Sequence, residues 1–364
     1  MLRASLFLAG VVGLSAASAQ PGTPVKAHTA LVHAVAVSPD GKLLATAGFD
    51  GTVKVWDVAA DGSLKEKITL KGHTGPVYAV AFHSKGGTLA SASLDKTIRL
   101  WTLADGKTTQ EIKGHTDIVD AVAFSPDGKT LASAGADKSV RLWDPADGKE
   151  VKNLGTHAGS VYTVVFSPDG KTLASAGADN VIKVWDVATS KEMRPLKGHD
   201  MPVTGIAFTD DKTLVSVSMD RTIRLWTTAG LTVAKKEPEK KEPEKKEMKK
   251  DAKKEPEKKD AKKEADKKDA KEPEKKVEKD PNEVKKLGPT TDDPYAVAWD
   301  AKTKTIAVGG YSGLVSTWKL DGDKPVFSKG IKSPGYCVAF TADGKALVSG
   351  HDNGTVVVTP ISGK

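Results

Sequence analysis

Short runs of alternating apolar and polar residues recur along most of the chain, and turn residues separate them. In one interval, Val119–Phe124 alternates and is followed by the turn sequence Ser125–Gly128. The runs Thr130–Gly135 and Ser139–Trp143 come next and are equally short. Alternation over about six residues favours a half-buried strand, and Pro-Asp-Gly favours a tight hairpin turn. The pattern therefore predicts an all-β chain built of hairpins.

Five tryptophans mark the period of this pattern, because they lie 45, 42, 42 and 41 residues apart. Each follows a histidine by 27 or 28 residues, a Ser or Thr by ten residues and an aspartate by six residues. The five sets are His28, Thr46, Asp50 and Trp56; His73, Ser91, Asp95 and Trp101; His115, Ser133, Asp137 and Trp143; His157, Ser175, Asp179 and Trp185; and His199, Ser216, Asp220 and Trp226. A period of about 40–45 residues with four short strands is typical of a β-propeller blade.

Two dipeptide motifs add to the pattern: Gly-His at residues 72–73, 114–115 and 198–199, and Trp-Asp at residues 56–57, 143–144 and 185–186. With these motifs the chain resembles the WD-repeat β-propellers. The resemblance implies a single seven-bladed propeller over residues 20–364. It also implies that the N-terminal segment near residues 23–29 supplies the last strand of blade seven and closes the ring.

Two of the seven predicted blades have lost parts of the pattern. The sixth has Ser312 at the Asp position and Val308 at the hydroxyl position. The seventh keeps Ser349 but has Asn353 and Thr359 at the Asp and Trp positions. Atypical units are expected in repeat arrays.

The recurring polar side chains allow a catalytic and a structural interpretation. Their repetition in five units argues against catalysis. In WD-repeat propellers these four residues form a chain of hydrogen bonds that ties an outer loop to an inner turn, and the resemblance implies the same structural role here. The donors and acceptors suit that role, since aspartate accepts, imidazole does both and the indole N–H donates.

Few residues remain for other chemistry. A single cysteine excludes a disulfide framework and Cys-based metal sites. The remaining histidines, His33, His83 and His351, have no carboxylates at metal-ligand spacing. No phosphate-binding or nucleophile motif occurs. We therefore expect no catalytic residue, no metal and no cofactor.

Residues 1–19 have the pattern of a secretory signal peptide. Arg3 gives a basic start, an apolar run covers residues 6–14, and Ala17 and Ala19 form a small-residue cleavage site. The apolar run is shorter than the roughly 20 residues that span a bilayer. We predict an exported protein, periplasmic, envelope-associated or extracellular, with no membrane span in the mature chain. An uncleaved N-terminal anchor is the alternative.

Residues 235–286 form a low-complexity insertion between blades five and six. They hold 22 Lys and 17 Asp or Glu among 52 residues and almost no apolar side chain, which predicts a disordered segment. The insertion supplies +5 of the net charge of +8, so the folded body is nearly neutral and we expect no specific nucleic-acid binding. If residues 284–287 form the outer strand of blade five, the insertion leaves opposite the binding face; if residues 231–234 do, it leaves on that face.

The resemblance also implies where a partner would bind, namely the face formed by the loops that enter each inner strand and the turns before each third strand. All five tyrosines of the chain match positions of this face. Tyrosine is enriched at protein interfaces because it offers area and one polar group at small entropic cost. The predicted partner-binding residues are His33, Phe49, Tyr78, Leu94, Asp120, Tyr162, Met219, Tyr295, Tyr311 and Tyr336.

The sequence thus predicts a non-catalytic, exported, monomeric scaffold that binds a protein or peptide through a tyrosine-rich face. One alternative is an enzyme or ligand-binding protein that acts at the central channel, as other propeller families do. Another is an envelope tether in which the Lys-rich tract contacts an anionic surface.

Overall fold

The computed structural model describes residues 22–233, 279–290, 292–322, 324–330 and 333–361. The predicted signal peptide and most of the predicted insertion lie outside the described residues. Across the described ranges the chain forms 28 strands and no helix. The strands assemble into seven four-stranded antiparallel sheets, which are the blades of a seven-bladed β-propeller. The predicted fold class, an all-β propeller, is confirmed.

Six of the blades are simple meanders in which four successive strands pair in chain order. Blades one to three consist of β2 (Val32–Val37), β3 (Leu43–Gly48), β4 (Thr52–Val58) and β5 (Leu64–Lys71); β6 (Val77–Phe82), β7 (Thr88–Ser93), β8 (Thr97–Thr102) and β9 (Thr108–Lys113); and β10 (Val119–Phe124), β11 (Leu131–Gly135), β12 (Ser139–Trp143) and β13 (Glu150–Thr156). Blades four to six consist of β14 (Val161–Phe166), β15 (Thr172–Gly177), β16 (Ile182–Asp186) and β17 (Lys191–Glu192); β18 (Val203–Phe208), β19 (Thr213–Ser218), β20 (Ile223–Thr227) and β21 (Glu283–Leu287); and β22 (Pro294–Asp300), β23 (Thr305–Gly310), β24 (Leu314–Lys319) and β25 (Phe327–Gly330).

The seventh blade joins the two ends of the chain. Its strands are β26 (Gly335–Phe340), β27 (Ala346–His351), β28 (Thr355–Pro360) and, as the fourth, β1 (Val25–Lys26). Val25 pairs with Val356, and Lys26 pairs with Thr355. The ring is therefore closed by backbone hydrogen bonds between the first and the last strand of the described chain.

The hydrophobic core consists of seven clusters, and each cluster lies between two neighbouring blades. Between blades two and three, for example, Leu100 and Ile112 pack with Val119, Leu131 and Trp143. The cluster between blades seven and one contains Cys337, and burial there raises the pKa of its thiol to about 12. Because every blade contributes to two clusters, each blade is held by both of its neighbours.

The charged insertion interrupts blade five between its third and fourth strands. Glu283–Leu287 pairs with β20, so residues 283–286, which the sequence analysis placed in the insertion, belong to the propeller. Residues 231–233 are not the outer strand of this blade; Val233 forms a bridge with Met193 of blade four. In every blade the end of the third strand and the start of the fourth are at the face opposite the loops that enter the inner strands, and we call this the rear face.

Candidate functional site

Hydrogen bonds join the same four side chains in each of the first five blades. In blade three, His115 Nε2 lies 2.7 Å from the Ser133 hydroxyl and His115 Nδ1 lies 2.8 Å from the Asp137 carboxylate. Trp143 Nε1–H donates to the same hydroxyl at 2.7 Å. Blades one, two, four and five repeat this arrangement within about 0.4 Å.

The chemistry of these groups fixes the direction of each hydrogen bond. An ionised carboxylate only accepts, so the histidine proton sits on Nδ1 and Nε2 accepts from the Ser or Thr hydroxyl. The hydroxyl oxygen in turn accepts from the indole N–H. The carboxylate also accepts from the backbone N–H that follows the histidine, as in Thr116 N–H to Asp137 at 3.1 Å. Each set therefore ties an outer loop to an inner turn.

The pKa values agree with this assignment. Burial lowers the pKa of His28, His73, His115 and His199, which keeps these imidazoles neutral near pH 7. Burial alone would raise the pKa of Asp50. The hydrogen bond from the Thr52 hydroxyl and the interactions with His28 and the Thr29 N–H outweigh it and hold this pKa at about 2.

Blades six and seven build partial replacements that the repeat pattern did not predict. In blade six, Trp318 donates to Ser316, which lies on the same strand, at 3.1 Å. The loop-to-turn bond is reversed there, because the Asp292 carboxylate lies on the loop and accepts from the turn N–H of Ser312 at 2.6 Å. In blade seven, His351 lies on β27 and bonds to the Ser349 hydroxyl at 2.8 Å.

Inner strands β2, β6, β10, β14, β18, β22 and β26 each carry a β-bulge at their second residue. In every blade the pairing register with the next strand shifts across this position. A bulge leaves one residue out of the ladder and redirects its side chain. The bulged residues are His33, Tyr78, Asp120, Tyr162, Thr204, Tyr295 and Tyr336.

All seven bulged residues, together with Met219 from a turn, line one cavity of about 240 Å³. We call it the mouth cavity, because it lies where the inner strands of all blades begin. Tyr78, Asp120, Tyr295 and Tyr336 are half-buried, whereas Tyr162 is exposed. The bulges thus bring one side chain from each blade to a common opening.

A continuous series of ring contacts runs along one side of the mouth cavity. The centroids of Tyr295 and Tyr336 are 5.2 Å apart, those of Tyr336 and His33 are 6.3 Å apart, and those of His33 and Tyr78 are 4.8 Å apart. Two of the remaining residues in the predicted face extend this series. Phe49 lies 5.0 Å from Tyr78, and Tyr311 lies 6.2 Å from Tyr295.

The last residue of the predicted face and the other histidines occupy different places. Leu94 is exposed on the rim, beside Gly75, and does not line the mouth cavity. His83 lies away from the mouth and bonds to the carbonyl of Gly128 in a hairpin turn of blade three. The three histidines outside the first five sets, His33, His83 and His351, therefore do not come together. Among the residues that the structure describes, no group of three or more His, Cys, Asp or Glu could hold a metal ion.

Asp120 is the one acidic side chain among the described residues that line the mouth cavity. Burial, followed by the nearby carboxylates of Asp117 and Asp137, raises its pKa to about 7. Burial and the charge of Asp120 also raise the pKa of the flanking phenols of Tyr78 and Tyr162. His33 donates its Nδ1–H to the Tyr78 carbonyl at 2.7 Å, and burial lowers its pKa. Near pH 7 the imidazole of His33 is therefore neutral.

A larger cavity, of about 540 Å³, lies on the rear face between blades one and seven. Its carboxylates Asp40, Asp61 and Asp343 accept hydrogen bonds from the residues of their own turns. These bonds use the carboxylates to stabilise the turns. We therefore regard the mouth cavity as the candidate site.

The family model for the WD domain, G-beta repeat, matches the chain at residues 20–57, 64–102, 106–144, 148–186, 190–227 and 329–358. These segments together cover more than half of the chain. The chain belongs to the WD40 repeat family. No curated protein matches it.

WD40 propellers generally serve as scaffolds for protein interactions and are typically not enzymes. In this WD40 propeller, the stretch from residue 228 to 328, which includes the insertion and most of blade six, falls outside the matched segments. Blade six is also one of the two blades in which the network is altered. Among the described residues, no helix has the length and apolar character that a membrane crossing requires.

Proposed function

We propose that this protein is a non-catalytic, exported scaffold that binds a protein or peptide partner at the mouth cavity and the aromatic residues around it. The observation that carries the proposal is the convergence of four of the five tyrosines, from four different blades, on one open cavity. Each is an unpaired bulge residue, so its side chain is presented to the opening by the backbone itself.

The composition of this surface suits a protein partner. Tyrosine is enriched at the centre of protein interfaces, and its ring loses little entropy on binding. Tyr162 and Tyr311 are exposed, by 38% and 55%, so their rings are accessible to a partner without rearrangement. The rigid ring of blades keeps these side chains in place before binding, which lowers the entropic cost of association.

The test is site-specific photo-crosslinking in the cell that makes the protein. A benzophenone amino acid replaces Tyr162 or Tyr311 at the mouth, and matched controls replace Val151 or Val284, which are exposed on outer strands by 62% and 58%. We expect one discrete crosslinked product from the mouth positions and none of that mass from the outer strands. Equal or stronger crosslinking from Val151 would contradict the proposal.

Export is part of the same proposal and rests on the signal-peptide pattern of residues 1–19. Cleavage after Ala19 would leave Gln20 as the first residue. N-terminal sequencing of the protein from the envelope and medium fractions tests this. An intact Met1 in the cytoplasm would contradict export, and an intact Met1 in the membrane fraction would favour the uncleaved anchor.

The raised pKa of Asp120 favours a second candidate, an enzyme that acts at the channel mouth, because perturbed carboxyls are common at catalytic sites. Such an enzyme needs a second reactive group beside the first. The other lining side chains are phenols, a neutral imidazole, Thr204 and Met219. A product that accumulates on incubation with cell extract, and is lost in Asp120→Asn, would support the enzyme.

A further inference from the structure

Asp120 is the one acidic side chain among the described residues that line the mouth cavity, and none of these residues is Lys or Arg. The side chain is half-buried, yet no described residue donates a hydrogen bond to its carboxylate. The network aspartates differ, since Asp137 accepts four such bonds. This carboxylate therefore depends on solvent for its hydrogen bonds, and a ligand that supplies a donor or a positive charge could take the place of that solvent.

Asp120 lies on β10, and its neighbouring inner strands β6 and β14 place Tyr78 on one side and Tyr162 on the other. The carboxylate acts electrostatically on both phenols. A cation attracted by the carboxylate would therefore meet aromatic rings on two sides, and ring faces attract Lys and Arg groups within about 6 Å.

The rest of the mouth has the same sign of charge. Burial comes first in raising the pKa of Tyr295 and Tyr336, and the charged groups that raise it further are the carboxylates Asp292, Asp293 and Asp352. Among the described residues Asp293 also forms an ion pair with Arg221 at 2.7 Å, whereas no cation pairs with Asp292 or Asp352. Carboxylates therefore outnumber cations around these phenols, although the chain as a whole has a charge of +8.

The size of the cavity indicates what kind of cation fits. Sites for free small molecules usually enclose about 300–1,000 Å³. The mouth cavity encloses about 240 Å³ and is open to solvent, which suits the end of one side chain better than a whole ligand. A partner surface around the opening would supply the remaining burial.

We propose that the mouth cavity receives a lysine or arginine side chain of the protein partner, whose cationic group pairs with the Asp120 carboxylate between Tyr78 and Tyr162. This inference rests on the proposed function and adds the chemistry of the partner. Aromatic contacts supply the area of the interface, and the half-buried Asp120 carboxylate selects a basic residue at its centre.

The groups that face Asp120 determine how binding depends on pH. Asp137 has a lowered pKa and stays ionised, and the phenols of Tyr78 and Tyr162 have raised pKa values and stay neutral. His33 is neutral above its lowered pKa, and Asp117 is exposed. Since the pKa of Asp120 is about 7, the affinity for a cation should rise roughly tenfold from about pH 6 to about pH 8.

The first test is an NMR titration of the full-length protein with two capped tripeptides, Gly-Lys-Gly and Gly-norleucine-Gly, which differ in the ammonium group. We expect saturable shifts with the lysine peptide, a dissociation constant in the millimolar range and at least about fivefold weaker binding of the norleucine peptide. Equal binding of both peptides, or no saturable shift with the lysine peptide, would overturn the proposal.

Two variants isolate the carboxylate. Asp120→Asn keeps the shape of the side chain, and we expect it to weaken the lysine peptide about tenfold and to abolish the pH dependence. Asp200→Asn removes an equal charge from the exposed loop that enters β18, and its affinity should equal that of the wild type. Unchanged affinity in Asp120→Asn would refute the role of this residue. If n-butylammonium binds as tightly as the lysine peptide, the site takes a free amine, and the partner side chain is excluded.

The same variants separate this inference from the proposed function. In one outcome, Asp120→Asn preserves the crosslinked product from position 162, whereas the double variant Tyr78→Ala, Tyr311→Ala loses the partner. The tyrosine-rich face then binds the partner, and the proposal of a basic partner residue is wrong. If neither substitution affects capture of the partner, the proposed function itself is wrong.

Discussion

Replacement of Asp137 by alanine removes the carboxylate that ties the outer loop of blade three to its inner turn. The carboxylate accepts from His115 Nδ1 at 2.8 Å, from the Thr116 N–H at 3.1 Å, and from the N–H and hydroxyl of Ser139 at 3.0 and 2.7 Å. The side chains of His115 and Asp137 are only 1% and 5% exposed. Water therefore reaches the orphaned donors poorly.

The magnitude follows from these contacts. Removal of one member of a buried, hydrogen-bonded charged set costs about 3–5 kcal/mol, and the four bonds do not add, because their donors share one acceptor. For a folded body of about 290 residues and an unfolding entropy of about 2.1 cal/mol/K per residue, about 3 kcal/mol lowers Tm by roughly 5 °C. The assay is thermal unfolding followed by circular dichroism at pH 7.5, with Asp144→Ala as the control. Asp144 lies in the same blade and its carboxylate accepts from the Ala146 N–H. We expect less than about 1 kcal/mol for this control.

A second measurement checks the sign of the pH dependence. Burial raises the pKa of Asp137, but the hydrogen bonds from Ser139 and the interaction with His115 outweigh it and lower the pKa below its usual value. A carboxylate with a lowered pKa stabilises the fold above the pKa of the unfolded chain, near 4, and loses this effect as the pH falls through the folded value. The difference in stability between the two proteins should therefore shrink below about pH 4. Equal Tm values for the wild type and Asp137→Ala at pH 7.5 would refute the structural role of the network.

Three further predictions follow from the same structure. Four network histidines have lowered pKa values, so the unfolded chain binds protons at a higher pH than the folded chain does. The free energy of unfolding, measured by urea denaturation, should therefore fall as the pH drops below about 6.5. A constant urea midpoint from pH 7.5 to 5 would contradict this. Replacement of residues 235–279 by a short Gly-Ser linker should leave the circular dichroism spectrum and Tm nearly unchanged. The two ends of the deletion lie close together, because Val233 bridges to Met193 and Asp280 pairs with the adjacent Arg194. Loss of the β-sheet signal would show that the insertion supports the fold. Ser316→Ala should lower the free energy of unfolding by about 1–3 kcal/mol in a urea titration, because it leaves the indole N–H of Trp318 without an acceptor. Ser312→Ala should cost less, because Ser312 bonds to Asp292 through its backbone N–H, which the substitution keeps.

The propeller could be predicted from the sequence because its blades repeat. The spacing of 22 residues between His115 and Asp137 recurs in blades one, two and four, and the structure shows these two side chains 2.8 Å apart. The hydrogen bonds of blades six and seven could not be predicted, for a physical reason. Ser316 and Trp318, like Ser349 and His351, are two residues apart on one strand and share a face, so each pair replaces a long-range partner with a local one.

The mouth cavity could be predicted only in part from the sequence. Residue-by-residue alignment identified the inner-strand positions, but not the bulge that frees each of them from the ladder. A bulge shows no composition signal here, since the bulged residues include Tyr78, Asp120 and Thr204. The absence of hydrogen-bond donors to the Asp120 carboxylate could not be predicted either, because it depends on which residues of the neighbouring blades surround that side chain. The position of Leu94 on the rim, away from the cavity, is another result that alignment alone does not supply.

The pairing of Val25–Lys26 with β28 has a consequence for how the protein is made. The partner strand, Thr355–Pro360, follows all of the first six blades in the chain. Those six blades can assemble before β28 becomes available, but the ring cannot close without that strand. Until then both flanks of the nascent arc expose apolar surface, so truncation near residue 350 should yield aggregation-prone products even though six complete modules are present.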